Sequence, residues 1–184
     1  MESTLPNSYY TRALETLSNA IHQLASTAPR HTHDINSVLG LLHHFFLFQK
    51  PRILMFDAPN DKLTIHYGYN LSPLEIRNGV YHLGEGITGK ILQTGRSVLI
   101  RDVNHDLSYI GKMMPKATLP RHLETFMAVP LYCDGYVVGV LAINTRKKDS
   151  QALANELSCL ENIAAMFNES ELFKLERPHL AVMR

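Results

Sequence analysis

Cysteine, histidine and one glycine string are the residues of this 184-residue chain whose types and spacing suggest chemistry. Cys133 and Cys159 are too few for a disulfide framework, carry no metal-ligand spacing, and suit a reducing cytosol. Neither has a His or Lys neighbour that would favour a thiolate. Of the ten histidines, only His31-x-His33 and His43-His44 are tightly clustered. Adjacent residues on a helix point about 100° apart, so His43 and His44 cannot share an ion unaided. His31 and His33 read as a solvated loop pair, and no metal site or cofactor is assigned. The string Gly84-Glu85-Gly86-Ile87-Thr88-Gly89 invites a phosphate cradle. A dinucleotide fingerprint, however, follows a long buried strand in a parallel unit. Here the preceding strand is short and its surroundings read as antiparallel, so the string is a tight entry into a helix that lines a pocket. No Gly-Lys-Ser/Thr occurs, which argues against ATP hydrolysis.

The elements that hold these residues follow from periodicity. Tyr10, Leu14, Leu17, Ile21, Leu24 and Ala28 recur at alternating spacings of four and three, a narrow helical seam that Pro29 stops. Asp34 is placed to N-cap a second helix with a broad apolar face from Ile35 to Phe46, which Pro51 ends. A strand over Ile53–Phe56 and an alternating strand over Leu63–Tyr69 form an antiparallel hairpin, with Leu63, Ile65, Tyr67 and Tyr69 on one face. A short helix over Pro73–Arg77 and a short strand over Tyr81–Leu83 precede the glycine string. Ile87, Ile91 and Leu92 then mark a helix closed by Gly95, and a strand covers Val98–Arg101. Asn104 to Leu123 is irregular, with Gly111, Pro115 and Pro120, and loops of that length in compact domains are usually functional or mobile. Asp134-Gly135 between two apolar runs signals a type I′ hairpin joining Thr125–Cys133 to Tyr136–Asn144. Pro130 requires a bulge or an edge, where no donor is needed. A last helix from Ser150 to about Leu175 repeats the seam with Leu153, Leu157, Leu160, Ala164 and Phe167.

Length and composition fit one domain able to bury a full core: 45% hydrophobic, 19% charged, net charge +1. No basic cluster offers a footprint for nucleic acid, and no apolar run spans a membrane. The start lacks a secretory signal, so a soluble cytoplasmic location is expected. The fold class is α+β: an antiparallel sheet of about six strands, helices mainly on one face and a ligand pocket on the other. One domain spans 1–184, with an amino-terminal dimerisation helix over 1–29, a helix–sheet core over 34–148 and a carboxy-terminal helix over 150–176.

The middle of the chain resembles the GAF family. The likeness rests on Gly84–Gly89 with Gly95, Ile100-Arg101-Asp102-Val103, Asp106-Leu107-Ser108-Tyr109, Phe126–Leu131 and Gly139–Asn144, in matching order from Asp34 to Phe167. Gly84–Gly89, Phe126–Leu131 and Cys159-Leu160-Glu161-Asn162-Ile163-Ala164 look most like the amino-terminal sensor domains of NifA-type nitrogen-fixation activators. Those activators work with the alternative sigma factor and carry an ATPase and a DNA-binding helix-turn-helix after this domain.

That resemblance implies a small-molecule sensor that gates an output module, and not an enzyme. It offers 2-oxoglutarate or an inhibitory partner protein as signals without choosing between them. Matching the family's ligand-lining positions gives Tyr67, Ile87, Thr88, Tyr109, Met113 and Arg121. They would line a pocket between the sheet and the Gly86–Gly95 and Asn104–Leu123 segments, with Arg121 best suited to grip a carboxylate or phosphate. The alternatives are a dimerisation module filled by its own side chains, and a thiol enzyme of the free methionine sulfoxide reductase type. The cyclic-nucleotide subgroup's Asn-Lys-x-Phe-x-Asp-Glu is replaced here by Asn144-Thr145-Arg146-Lys147-Lys148-Asp149. The expected partners are the ligand, a second copy of the chain joined through the seam helices, and a regulatory protein, with no nucleic acid or membrane contact.

Overall fold

A computed structural model describes residues 7–26, 32–116, 119–120, 123–170 and 172. Two helices, α1 (Asn7–Ser26) and α2 (Thr32–Phe46), precede the first strand. The sheet strands are β1 (Gln49–Asp57), β2 (Lys62–Gly68), β3 (Val80–Tyr81), β4 (Val98–Ile100), β5 (Thr125–Cys133) and β6 (Tyr136–Thr145). Helix α3 (Pro73–Asn78) lies between β2 and β3, α4 (Gly86–Thr94) between β3 and β4, and α5 (Ser150–Glu169) follows β6. The order across the sheet is β3-β2-β1-β6-β5-β4, every neighbour pair antiparallel. This is the expected α+β architecture.

Both faces of the central strands are covered, which is why β1 and β5 read as almost unbroken apolar runs. On one face α2 packs on β1 and β2, α5 packs on β5, and α1 lies against both helices. That core gathers Leu17, Ile21, Leu39, Phe48, Met127 and Phe167, all essentially inaccessible to water. On the other face α4 lies over β5 and β6, and the irregular segment after β4 completes a second core. Ile91, Val103, Met113, Met114, Phe126 and Val140 are among its members.

Three local expectations are corrected. Helix α2 begins at Thr32, so Asp34 lies inside it and is not its N-cap. Pro51 does not precede β1 but sits within it. Between Gln49 and Arg52 the pairing with β6 slips by one residue, and a bulge of this kind needs no donor from proline. Tyr67 does not share a face with Leu63 and Ile65. Ile53 pairs with Tyr67 and Leu54 with Ile65, which leaves His66 as an extra residue that turns Tyr67 onto the α2 side. Pro130 meets its expectation, since β4 starts opposite Ala128 and leaves β5 an open edge beyond that point.

The middle of the α1 seam is used within the chain: Leu17 and Ile21 are buried against this chain's own helices, Leu14 and Leu24 are partly buried there, and Tyr10 is exposed. A charge at Leu17 would therefore act on folding first. Ala28 and Pro29 fall outside the described residues.

Asp134 and Gly135 both have positive φ, 50° and 82°, as a type I′ turn demands. A Cβ at Gly135 would meet nothing within 4 Å, so only the backbone resists substitution there. Gly135→Val should cost about 1–2 kcal/mol, a melting-temperature drop of roughly 2–8 °C for a domain of this size. Leu17→Glu should cost far more and leave little folded protein by circular dichroism.

Candidate functional site

The face beneath α4 and the irregular segment holds four of the six positions expected to line a pocket, either in its core or on its covering helix. Ile87 and Thr88 are buried on α4, and Tyr109 and Met113 are buried in the segment that covers the sheet. Tyr67 faces the opposite core, for the reason given above. Arg121 lies outside the described residues.

The glycine string does what the local reading required. Gly84 and Gly86 have φ of 75° and 58°, and the Gly84 N–H donates to Gly89 O at 3.0 Å. A Cβ on Gly89 would press on the His82 carbonyl oxygen at 2.1 Å, so the helix can start this close to β3 only with glycine there. Glu85 precedes the helix, and its carboxylate is already engaged by the His82 N–H at 2.9 Å and by Lys112 Nζ at 2.5 Å. The hydrogen bond from Lys112 holds the Glu85 carboxyl below its ordinary range. An acidic, already occupied helix entry is a poor cradle for a phosphate.

The residue that dominates this face is one that sequence reasoning passed over. Arg52 is 4% exposed, at the centre of β1. Its sheet neighbours in register are Ala142 and, one strand further, Ala128, whose small side chains leave room for a long one. Its Nη1 donates to Lys50 O at 2.8 Å and to Asn144 Oδ1 at 3.1 Å. The guanidinium carbon stands 5.4 Å from the centroid of the Phe126 ring. Burial pulls the group below its ordinary pKa, opposed by the phenols of Tyr109 and Tyr81 and by the Glu75 carboxylate. No ion pair joins Arg52 to a carboxylate among the described residues.

Asn144 links that cation to the covering segment. It is fully buried, and its Nδ2 donates to Leu123 O at 2.9 Å. The Tyr109 phenol lies beside the Asn144 side chain, and the Tyr81 phenol beside the Met113 backbone. Burial pushes both phenols above their ordinary pKa. Lys112 adds a bond from Nζ to Val80 O at 3.1 Å and stands 5.7 Å from the centre of the Tyr81 ring. The covering segment is thus fastened through its middle and its end, while its tip, Leu107, is 97% exposed.

The bulge that places Arg52 has its own support. Lys50 is a non-glycine residue at φ 48°, a conformation that costs of order 1–3 kcal/mol. It is held by an ion pair to Glu75 at 2.7 Å and a bond to Asn70 O at 3.1 Å. Glu75 also closes a capping box with Ser72 at the start of α3.

The cysteines are not part of this site. Cys133 is buried in the helix-side core, and burial pushes the Cys159 thiol on α5 up to about 12. His43 hydrogen-bonds Phe48 O at 3.0 Å and lies against Tyr69, while His44 lies against Phe45.

One signal for Arg52 was available in the sequence: a charge abutting the apolar run Ile53–Phe56. Another was a polar Asn144 closing the apolar run Gly139–Ile143. Neither says that the two meet.

Asn144→Leu should destabilise by about 2–4 kcal/mol in urea unfolding, because it strands a buried guanidinium bond and the Leu123 carbonyl together. Adding Arg52→Met to that variant should recover part of the loss. At Glu75, burial raises the pKa, but the bonds from Lys50 and Ser72 outweigh it and the carboxyl ends below its ordinary value. The pair's contribution is therefore present above the unfolded glutamate pKa and is lost as pH falls through the lower folded value. Between about pH 5 and 3, stability of Glu75→Gln should fall less steeply than that of the unmutated chain.

The family profile "GAF domain" matches residues 22–170. "Nitrogen fixation protein AnfA" of Azotobacter vinelandii is 25% identical over 132 residues, covering 72% of this chain and 25% of that protein. "Nif-specific regulatory protein" of Herbaspirillum seropedicae is 28% identical over 118 residues, covering 64% of this chain and 21% of that protein. The chain thus spans about a quarter of the length of the curated relatives it matches. Among solved structures, the "A. Aeolicus nlh2 gaf domain in an inactive state" superposes with a TM-score of 0.76 at 22% identity, covering 91% of this chain and 99% of that one. With a matched span that runs from α1 through the sheet to the end of α5, the chain belongs to the GAF domain family.

Proposed function

We infer that this chain is the sensory domain of a transcription regulator in nitrogen metabolism, and that its signal is a small molecule bound under the α4 side of the sheet. The observation that carries the reading is the covering segment from Asn104 to Leu123. Its described residues are held over the sheet by contacts at Tyr109, Lys112, Met113 and Leu123, with no α-helix or strand among them. A ligand shifts an equilibrium only if it binds two states unequally, and a segment fastened this way has a second state within reach. Likeness to regulators of nitrogen fixation supports the nitrogen-linked output. The attached ATPase and DNA-binding parts, a regulatory protein partner and a homodimer belong to the same proposal. No helix among the described residues is long and apolar enough to cross a membrane.

A specific observation favours a second reading, a protein-interaction module without a ligand. On the α4 side of the sheet, the chain's own Ile87, Ile91, Tyr109, Met113 and Met114 are buried in one apolar core. A thermal-shift screen with small metabolites separates the two. A ligand at 100 times its dissociation constant adds about 2.7 kcal/mol, a rise of roughly 5–11 °C for a domain of this size. If nothing in a broad panel moves the melting temperature, and the unmutated chain is instead a concentration-dependent dimer by light scattering, the second reading replaces the first.

A further inference from the structure

The buried guanidinium is incompletely used, and its geometry states what would complete it. Nη1 spends both of its N–H groups, on Lys50 O and Asn144 Oδ1. Among the described residues, neither Nε nor Nη2 has a hydrogen-bond acceptor. Those two nitrogens form one edge of the planar fork, the edge that takes a carboxylate with two parallel bonds. The negative charge nearest to hand, Glu75, is already paired with Lys50 at 2.7 Å. Among the described residues, its other neighbours are neutral: the Phe126 ring, the Asn144 amide and the phenols of Tyr81 and Tyr109.

The geometry points to Arg52 as the binding residue for a small carboxylate ligand, held side-on by Nε and Nη2 beneath the Asn104–Leu123 segment. This rests on the sensing role proposed above and narrows it to a ligand class. A single negative charge balances the single buried positive one. A phosphate carries more charge than this neutral setting can match, and the Glu85 carboxylate already occupies the one helix entry on this face. The Tyr81 phenol lies close to the Met113 backbone and to the guanidinium. Because Tyr109 and Met113 belong to the covering segment, occupation of the fork bears directly on how that segment sits.

The test is a titration of the 184-residue chain with acetate, lactate, succinate and benzoate from micromolar to tens of millimolar, read by melting temperature. Chloride and inorganic phosphate at matched ionic strength are the anion controls. At least one carboxylate should raise the melting temperature saturably by several degrees, with phosphate and chloride inert. Arg52→Lys keeps a charge but loses the fork and should bind at least tenfold more weakly; Arg52→Met should not bind. If Arg52→Met does not fold, the Arg52 15Nε resonance, assigned by its loss in Arg52→Lys, must move with the same midpoint as the melting temperature. The proposal is overturned if no carboxylate acts on the unmutated chain, if Arg52→Met retains the midpoint, or if the 15Nε resonance stays still. An uncharged metabolite that stabilises the unmutated chain and Arg52→Met equally would leave sensing standing and remove Arg52 from it.

Discussion

Three strands, β1, β6 and β5, bury both of their faces, and everything else in the molecule answers to that constraint. An antiparallel sheet is stable with one face in water, so covering the second face asks for a second layer. The helix-side layer is easy to provide, because α1, α2 and α5 satisfy their own backbone hydrogen bonds and need contribute only apolar surface. The other layer is one short helix, α4, and about twenty residues with little regular structure. Irregular backbone laid on a core needs partners for its N–H and C=O groups. Asn144 answers for Leu123 O, while Lys112 of the cover reaches back to Val80 O of β3. Polar side chains are buried on this face because the cover itself is polar backbone.

Several departures from local rules fall within one short stretch of the sheet. Lys50 takes a left-handed backbone, Pro51 interrupts a ladder, Arg52 buries a charge, and Asn144 is sealed from water. Each is unfavourable alone. A buried cation with only neutral acceptors is no better than a well-packed apolar side chain, and replacing such groups by hydrophobic ones is often stabilising. Sequences that are otherwise locally consistent concentrate such violations where function requires them. The helix-side core shows the contrast: its larger members are apolar, and the close approach of Tyr69 to Gly40 is met by leaving out a side chain.

Much of the architecture was legible because it rests on short-range signals. The Asp134-Gly135 turn, the Gly95 stop, the β1–β2 hairpin and the seam of α5 each depend on residues a few positions apart. The failures at Tyr67 and Pro51 have one physical cause. A bulge adds a residue to one strand and reverses every face beyond it, and strict alternation in the sequence carries no mark of where that happens. The site was half legible in the same sense. Ile87, Thr88, Tyr109 and Met113 lie on elements whose place follows from order alone. Arg52 and Asn144 are 92 residues apart, and their hydrogen bond depends on β1 and β6 being neighbours at the centre of the sheet. An arginine before an apolar run has the same local signature whether it ends in water or under a phenylalanine ring.

The two sides of the sheet are also joined through one residue near the end of β5. Tyr132 donates its phenolic proton to Gly95 O, the residue that closes α4, at 2.9 Å. Its backbone N–H, beyond the reach of β4, donates to Asn168 Oδ1 near the end of α5 at 2.8 Å. The open edge that admits Pro130 is therefore where α4 and α5 are tied to one residue. Gly95 sits at φ 64°, and a Cβ there would meet the Tyr132 oxygen at 2.7 Å, so α4 cannot slide toward β5 without moving that ring. Contact alone does not make a pathway; an element must have two arrangements that both ends bias. On this face the covering segment touches α4 through Ile110 at Gly86 and through Lys112 at Glu85. Its position, the seating of α4 and the end of α5 are thus linked by packed groups on one side and by Tyr132 on the other, and the part of the chain that follows α5 begins where that link ends.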